Sequence, residues 1–176
     1  DRCNLRCIYC MPCDGVSLMS HEDVLSYEEI YTIVLAATEL GINKVRLTGG
    51  EPLVRAGLPD LIQVLVQIEA VNDISLTTNG LLLSRYAAEL KQAGLQRVNI
   101  SLDTLKPDRF ESVTRCTNNS GDTGNLDDVL AGIEAARSVG LDPVKINTVV
   151  MAGINDDELL DFASKTNDDG WHVRFI

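Results

Sequence analysis

The stretch DISLTTNGLLLSRYAAELKQAGLQRVNIS, residues 73–101, contains a strand, a helix and a second strand in close succession. Strands are predicted over Ile74–Thr77 and Arg97–Ser101, because short apolar positions alternate there with polar ones. A helix is predicted from about Ser84 to Ala93, and Gly94 suits its C-terminal cap. Two strands joined by a helical crossover lie parallel in one sheet, so this stretch predicts an α/β fold.

The same alternation continues on both sides of this stretch. Ser26-Tyr27-Glu28-Glu29 is a capping box that begins an amphipathic helix, and Gly41 suits the end of that helix. Further helices are predicted over the stripe from Leu58 to Val66, from Asn125 to about Gly140, and from Asn155 onward. The other predicted strands are Lys44–Thr48, Val144–Val150 and Trp171–Ile176. The polar segment Lys106–Gly124 is predicted to be an extended loop, and no domain boundary is visible in the chain.

Each predicted strand has one apolar and one polar face, since side chains alternate along a strand. In a closed parallel barrel the outer face meets apolar helices, so the polar residues are expected to point inward. A polar interior must be satisfied by water or by a polar ligand, which predicts a wet, anion-binding cavity. The alternative is an amphipathic sheet with one solvated face. The polar set is Arg46, Thr48, Ser75, Thr77, Asn99, Ser101, Lys145, Asn147, His172 and Arg174.

Composition limits the function classes. The chain has 176 residues, 45% of them hydrophobic, which suits one domain with a full core. No apolar run is long enough to span a membrane, and no signal peptide is visible. The odd number of clustered cysteines fits metal ligands in a reducing cytoplasm better than a disulfide framework, so a cytoplasmic location is expected. A net charge of −11 argues against nucleic-acid binding, which needs a basic face. A small anionic substrate would need well-placed cations.

Cysteines are crowded near the start of the chain. Cys3, Cys7 and Cys10 have the spacing C-x₃-C-x₂-C in DRCNLRCIYCMP, and Cys13 follows. Three thiolates can hold three irons of a [4Fe–4S] cluster and leave the fourth iron open. A trio of buried thiols, or a zinc site that includes Cys13, would also fit this pattern. Zinc sites usually separate their cysteine pairs by a longer stretch, which favours the cluster.

A glycine-rich turn follows the first predicted strand. In Thr48-Gly49-Gly50-Glu51-Pro52-Leu53 the two glycines allow close approach of the backbone to a ligand. The Glu51 carboxylate is expected to meet an ammonium group there. Ligands bind at this end of the strands in parallel α/β folds, although such a turn can also be only a tight connection.

Together these motifs resemble the radical S-adenosylmethionine (SAM) enzymes. The narrower pattern resembles the GTP cyclases of molybdenum-cofactor biosynthesis, and its segments cover nearly the whole chain. They are DRCNLRCIYCMP, VRLTGGEPLVR, LTTNGLLL, VNISLDTL, VKINTVVMAGIND and WHVRFI. The resemblance implies a partial (β/α)6 TIM-like barrel, with residues 1–176 as its radical SAM core domain. It places most of the first strand before Asp1, and a C-terminal extension with a second cluster beyond Ile176.

The resemblance also implies roles for particular residues and a reaction. The [4Fe–4S] ligands are Cys3, Cys7 and Cys10; the SAM contacts are Tyr9, Gly50 and Ser101; the GTP contacts are Arg46, Thr77 and Lys145. Read singly, Lys145 could be a surface lysine, Ser101 a capping residue and Thr77 a structural one. The implied enzyme is a lyase that cleaves SAM reductively, and the deoxyadenosyl radical takes a hydrogen from the ribose of GTP and triggers cyclisation. An electron donor and a homodimer are further expectations.

Two cysteines fall outside this pattern. Cys13 and Cys116 are extra, and Cys116 is predicted to be a spare thiol in the polar segment. Two other functions stay open on the sequence alone. One is another radical SAM enzyme, such as a peptide-modifying relative. The other is a zinc-stabilised binding module built on the first four cysteines.

Overall fold

A computed structural model describes residues 2–115 and 124–176, and Cys116 lies outside the described residues. Five strands form one sheet in which neighbours are parallel, in the order β1-β2-β3-β4-β5. The strands are β1 (Lys44–Leu47), β2 (Asp73–Thr78), β3 (Arg97–Ser101), β4 (Lys145–Thr148) and β5 (His172–Phe175). The helices are α1 (Tyr27–Glu39), α2 (Leu58–Val66), α3 (Leu83–Ala93), α4 (Pro107–Thr114), α5 (Leu126–Ser138) and α6 (Leu159–Asp168). This sequential order is that of a partial, open (β/α) barrel.

Local sequence signals place the helix ends as predicted. Ser26 Oγ accepts the Glu29 amide at 3.2 Å, and the Glu29 carboxylate accepts the Ser26 amide at 2.7 Å. Asn125 caps α5 in the same reciprocal way with Asp128. Each cap satisfies backbone amides that have no partner inside the helix, typically stabilising it by about 1 kcal/mol. Gly94 ends α3 in the left-handed conformation, with φ of 106°.

The core lies between the apolar face of the sheet and the helices. Strand residues such as Leu76, Val98, Ile100 and Ile146 are fully buried there, together with helix residues such as Leu83 of α3. Burying each such side chain contributes roughly 1.5–3 kcal/mol. None of the helices in the described residues is long and apolar enough to cross a membrane.

The opposite face of the sheet is polar, as predicted. Strand register places Thr77 opposite Asn99, and Asn99 opposite Lys145. Arg46 lies opposite Ser75 in the same way. Since partners in register share a face, the predicted polar residues line one continuous surface across the strands. Side chains from β1, β2, β3 and β4 therefore converge on the side of the sheet away from the apolar core.

One prediction about the fold is wrong. The segment Lys106–Gly124 is not a loop throughout, because its first half forms α4. Pro107 occupies the first turn, where its missing amide costs nothing. Phe110 and Val113, at helical spacing, are buried against the core. The Asn-, Thr- and Gly-rich second half of the segment obscured this short amphipathic helix.

A buried carboxylate fastens the start of α4 to the chain before α6. Glu158 is 0% exposed, and it accepts hydrogen bonds from the Thr104 hydroxyl and the Leu105 amide, both at 2.7 Å. Arg109 donates to the same carboxylate and forms an ion pair with it. The loop after β3 is therefore fixed to the segment that follows β4.

Glu158→Ala is expected to lower the free energy of unfolding by about 3–5 kcal/mol, because it leaves buried donors without an acceptor. Asp157→Ala is the matched control. Asp157 pairs with Lys106 and Arg109, but its side chain is 51% exposed, so solvent screens these pairs and the loss should be much smaller. Urea unfolding followed by circular dichroism measures both. Equal losses in the two variants would contradict the role assigned to Glu158.

Candidate functional site

The cysteine loop, residues 2–13, lies across the carboxyl ends of the strands. The Glu51 amide donates to the Arg2 carbonyl at 2.8 Å. The Arg6 amide donates to the Thr114 carbonyl at 3.0 Å, and the Ile8 amide to the Val113 carbonyl at 2.9 Å. The loop is thus fixed to the turn after β1 and to the end of α4.

The first three cysteines of the loop form one electrostatic group. Cys3 and Cys7 are half-buried and Cys10 is exposed, and all three are free thiols. The amides of Cys10 and Met11 both donate to the Cys7 carbonyl, at 2.9 and 3.0 Å, in a tight turn. This turn brings Cys7 and Cys10 together, and Cys10 raises the pKa of both Cys3 and Cys7.

Burial is the largest influence on the two inner thiols. It raises the pKa of Cys3, and burial together with the charge of Asp103 raises the pKa of Cys7 to about 12. These thiols therefore stay protonated at neutral pH until a cationic partner stabilises the thiolate. Such a partner would release protons on binding, as metal centres do.

Donors surround the Cys3 sulfur. The Leu5 amide approaches Cys3 Sγ at 3.4 Å, and Asn79 Nδ2 lies 4.0 Å from it. Asn79 Nδ2 also donates to Asn4 Oδ1 at 2.7 Å. Hydrogen bonds to ligand sulfurs tune the reduction potential of an iron–sulfur centre. The end of β2 thus contributes to the environment of the loop.

Glu51 does not have the role expected from the sequence. Its carboxylate, 3% exposed, accepts the Thr78 hydroxyl at 2.8 Å, the Asn79 amide at 2.7 Å and the Leu53 amide at 3.0 Å. These bonds direct it into the protein and not toward an ammonium group of a ligand. Glu51 instead fastens the turn after β1 to the end of β2.

The glycine turn lines a cavity of about 690 Å³ at the end of β1. Thr48, Gly49 and Gly50 form one wall, and Arg2 and Arg55 contribute cationic groups. A side chain at Gly50 would place its Cβ 2.1 Å from the Arg2 carbonyl oxygen. The glycine thus permits close approach of the cysteine loop, in addition to the ligand contact that is predicted for it.

Tyr9 connects the loop to the end of β3. The residue is 46% exposed, and its hydroxyl donates to Asp103 Oδ2 at 2.7 Å. Burial and the neighbouring carboxylate raise the pKa of Tyr9, so the hydroxyl remains a donor. Ser101, the other predicted SAM contact on β3, is half-buried two residues before Asp103.

The predicted GTP contacts lie on the polar face. Arg46 is exposed, and Thr77 and Lys145 are half-buried. The Lys145 and Thr77 positions are both paired with Asn99, one on each side of β3. Lys145 of β4 therefore lies near the end of β2, and it is on the same surface as Arg46.

The arrangement of the thiols bears on which metal they could bind. Within residues 2–115 and 124–176, no group of three His, Cys, Asp or Glu side chains is arranged around a single ion. A tetrahedral zinc site on Cys3, Cys7, Cys10 and Cys13 would need the four sulfurs to converge on one ion. A [4Fe–4S] cluster binds each thiolate to a different iron, so its ligands do not have to converge. Cys13 is exposed at the edge of the loop.

Sequence reasoning missed Asn79 and Asp103. Each follows a strand and holds the cysteine loop through a side chain, and the sequence separations are 75 residues from Asn4 to Asn79 and 94 from Tyr9 to Asp103. Both residues come directly after predicted strands, at the end of the sheet where parallel folds bind ligands, and this position could have identified them from the sequence.

Comparison with known proteins now identifies the class. Residues 1–165 match the model of the radical SAM superfamily, and the chain belongs to that family. Proteins of this family use a [4Fe–4S] cluster and S-adenosylmethionine. The three free thiols of the cysteine loop and the donors around Cys3 fit such a cluster.

Within the family, the chain is similar to proteins named GTP 3',8-cyclase. It is 55% identical to the one from Peptoclostridium acidaminophilum and 57% identical to the one from Petrotoga mobilis, in both cases over 176 residues. The alignments cover 100% of this chain and 52% of each relative. The chain therefore spans about half the length of these curated relatives.

Solved structures share the fold at lower sequence identity. Native anSMEcpe with bound AdoMet matches 99% of this chain and 48% of its own, with a TM-score of 0.71 and 19% identity. HydG, a maturase of the [FeFe]-hydrogenase, matches 98% of this chain and 40% of its own, with a TM-score of 0.70 and 16% identity. These likenesses confirm the partial (β/α) barrel architecture.

Proposed function

We propose that this chain is the radical SAM core domain of a GTP 3',8-cyclase, a lyase that acts in the first step of molybdenum-cofactor biosynthesis. The observation that carries the proposal is the similarity of all 176 residues to GTP 3',8-cyclases, of which the alignments cover 52%. The cationic and hydroxyl groups on the polar face beside a three-cysteine loop support it, since a triphosphate needs such partners.

Cys3, Cys7 and Cys10 would hold the cluster. When bound, the cluster supplies the electron that cleaves S-adenosylmethionine to the deoxyadenosyl radical, which removes a hydrogen from the ribose of GTP. Three contacts position the loop. The Arg2 carbonyl accepts a hydrogen bond from the turn after β1, and the side chains of Asn79 and Asp103 bond to the loop from the ends of β2 and β3.

The remaining residues bind and orient. Tyr9, Gly50 and Ser101 surround the space between the cysteine loop and the ends of β1 and β3, where S-adenosylmethionine would lie. Arg46 and Lys145 would offset the charge of the triphosphate. An arginine can do so with two parallel hydrogen bonds, whereas a lysine acts as a point charge. The Thr77 hydroxyl would add a hydrogen bond on the same face.

The setting of this activity is part of the proposal. The chemistry needs reduced cysteines and an electron donor, and both favour a cytoplasmic location. Neither nucleic acid nor a membrane is a proposed partner, and a homodimer is the proposed assembly. The chain has a net charge of −11, so an anionic substrate needs local cations, and Arg46, Lys145 and Arg174 lie on the polar face.

The test is anaerobic reconstitution of the purified protein with iron and sulfide. A brown protein whose cluster spectrum changes with S-adenosylmethionine, and which forms deoxyadenosine from it only when both GTP and a one-electron reductant such as dithionite are present, is the expected result. Deoxyadenosine formation that is indifferent to GTP would point to another radical SAM reaction. A colourless protein that binds one zinc, and loses it in Cys13→Ser, would contradict the whole proposal.

Arg46→Ala and Lys145→Ala test the substrate site. Each is expected to weaken GTP binding by at least about tenfold, because each removes a charge-assisted contact to phosphate. Arg85→Ala is the control, since Arg85 is exposed on α3, away from the polar face. Isothermal titration with GTP measures all three. Unchanged affinity in both Arg46→Ala and Lys145→Ala would remove GTP as the substrate bound at this face.

A further inference from the structure

Asp103 is a buried carboxylate directly beyond β3, and it is 7% exposed. Both of its oxygens accept a hydrogen bond. The Tyr9 hydroxyl donates to Oδ2 at 2.7 Å, and the Val149 amide donates to Oδ1 at 2.8 Å. Burial raises the pKa of Asp103, and the hydrogen bonds from Tyr9 and Val149 oppose that rise. Two donors and no acceptor match an ionised carboxylate.

The backbone around Asp103 is fixed independently of the cysteine loop. Asn155 Nδ2 donates to the Asp103 carbonyl at 2.7 Å and to the Val149 carbonyl at 2.8 Å. The Thr148 hydroxyl donates to the Leu102 carbonyl at 2.8 Å. Since Thr148 and Asn155 are both buried, the ends of β3 and β4 form a rigid frame. This frame fixes Asp103 without help from the loop, so the carboxylate determines the position of the loop.

The contact reaches the part of the loop that lies between two cysteines. Tyr9 follows Cys7 and directly precedes Cys10, and the backbone bonds from Arg6 and Ile8 to α4 end before it. The bond to Asp103 thus extends the anchoring to the outer, exposed cysteine. Asp103 also acts electrostatically on Cys7, where its charge adds to the effect of burial.

We propose that Asp103 is a positioning residue of the cluster site, which fixes Tyr9 and Cys10 through the tyrosine hydroxyl and holds an ionised carboxylate against the cysteine loop. This inference rests on the proposed function only in taking the three cysteines as cluster ligands. A negative charge opposes the arrival of an electron, so Asp103 lowers the reduction potential of the cluster. The Tyr9 hydroxyl donates a hydrogen bond to the carboxylate and so partly offsets its charge. The reduction potential therefore depends on whether the loop holds Tyr9 in this position.

Two variants separate the charge from the hydrogen bond. Asp103→Asn removes the charge, so the reduction potential of the cluster is expected to rise. The affinity for S-adenosylmethionine is expected to fall by about tenfold, which is the loss expected for one charge-assisted hydrogen bond. Tyr9→Phe removes only the hydroxyl of a residue that is 46% exposed. It is expected to weaken S-adenosylmethionine binding without raising the potential. Asp127→Asn, an exposed carboxylate in the first turn of α5, is the matched control and should change neither quantity.

The readout is a dye-mediated redox titration followed by electron paramagnetic resonance on the reconstituted protein. The signal that changes on addition of S-adenosylmethionine identifies the cluster of this loop. A wild-type potential in Asp103→Asn, or wild-type affinity in Tyr9→Phe, would overturn the inference and leave the proposed function intact. Should Asp103→Asn fail to fold, Tyr9→Phe decides the matter alone. A wild-type protein that takes up no cluster would overturn the proposed function and this inference together.

Discussion

Serine at position 7 is expected to abolish the S-adenosylmethionine-dependent change in the cluster spectrum. The hydroxyl of Cys7→Ser is a harder and weaker ligand for iron than a thiolate. Cys7 also lies at the centre of the loop, where its carbonyl accepts both the Cys10 and the Met11 amides. Losing this ligand leaves only two of the three proposed thiolates.

Cys13→Ser is the matched control for that change. Cys13 is exposed, and it is not among the groups that shift the pKa of Cys3 or Cys7. Iron content, visible absorbance and the paramagnetic signal of the reduced protein should match the wild type. Loss of iron from Cys13→Ser, or retention of the spectral change in Cys7→Ser, would contradict the assignment of the three ligands.

Gly50→Ala is expected to have the second largest effect, because the alanine side chain would collide with the cysteine loop. Its Cβ would lie 2.1 Å from the Arg2 carbonyl oxygen and 2.7 Å from the Arg2 carbonyl carbon. Both atoms belong to the backbone, so no side chain can turn away. The loop must move, which breaks the bond from the Glu51 amide to Arg2. We expect a loss of about 1–3 kcal/mol in unfolding free energy, as in other overpacked sites, together with a failure to retain the cluster.

Gly41→Ala separates this clash from the general cost of replacing a glycine. Gly41 has φ of 86°, and nothing lies within 4 Å of the added Cβ. Backbone strain alone should cost that variant about 1–2 kcal/mol. Its cluster content should stay at the wild-type level, as measured by iron analysis after reconstitution. Equal cluster loss in both variants would show that stability, and not the approach of Arg2 to Gly50, controls the site.

Local chemistry explains how much of the fold was predictable. The capping box at Ser26 and Glu29 depends on residues three apart, and the two strand faces depend on alternate residues. Both patterns involve residues that are close together in the sequence, and such residues are also close together in the folded protein. The strands from Lys44 to Phe175 were therefore predicted to within a few residues, and the polar face was predicted with them.

The errors arise where long-range contacts decide the outcome. Glu51 follows two glycines, a local setting that suggests a ligand contact, yet Thr78 and Asn79 at the end of β2 surround its carboxylate. Asp103 lies in the VNISLDTL segment after a predicted strand, but only the fold brings its carboxylate to Tyr9, 94 residues away. The helix α4 was missed because Phe110 and Val113 supply a short apolar stripe beside a long polar run.

The anchors of the cysteine loop also set an order of events for the nascent chain. Its attachment points lie at Glu51, Asn79, Asp103 and Val113, all of which leave the ribosome after the cysteines do. Because these anchors come later in the chain than the cysteines, we expect metal loading to follow barrel formation, unlike in zinc fingers, whose ion drives folding. During that interval the thiols are unprotected, and oxidants can divert them into sulfenic acids or disulfides before iron arrives.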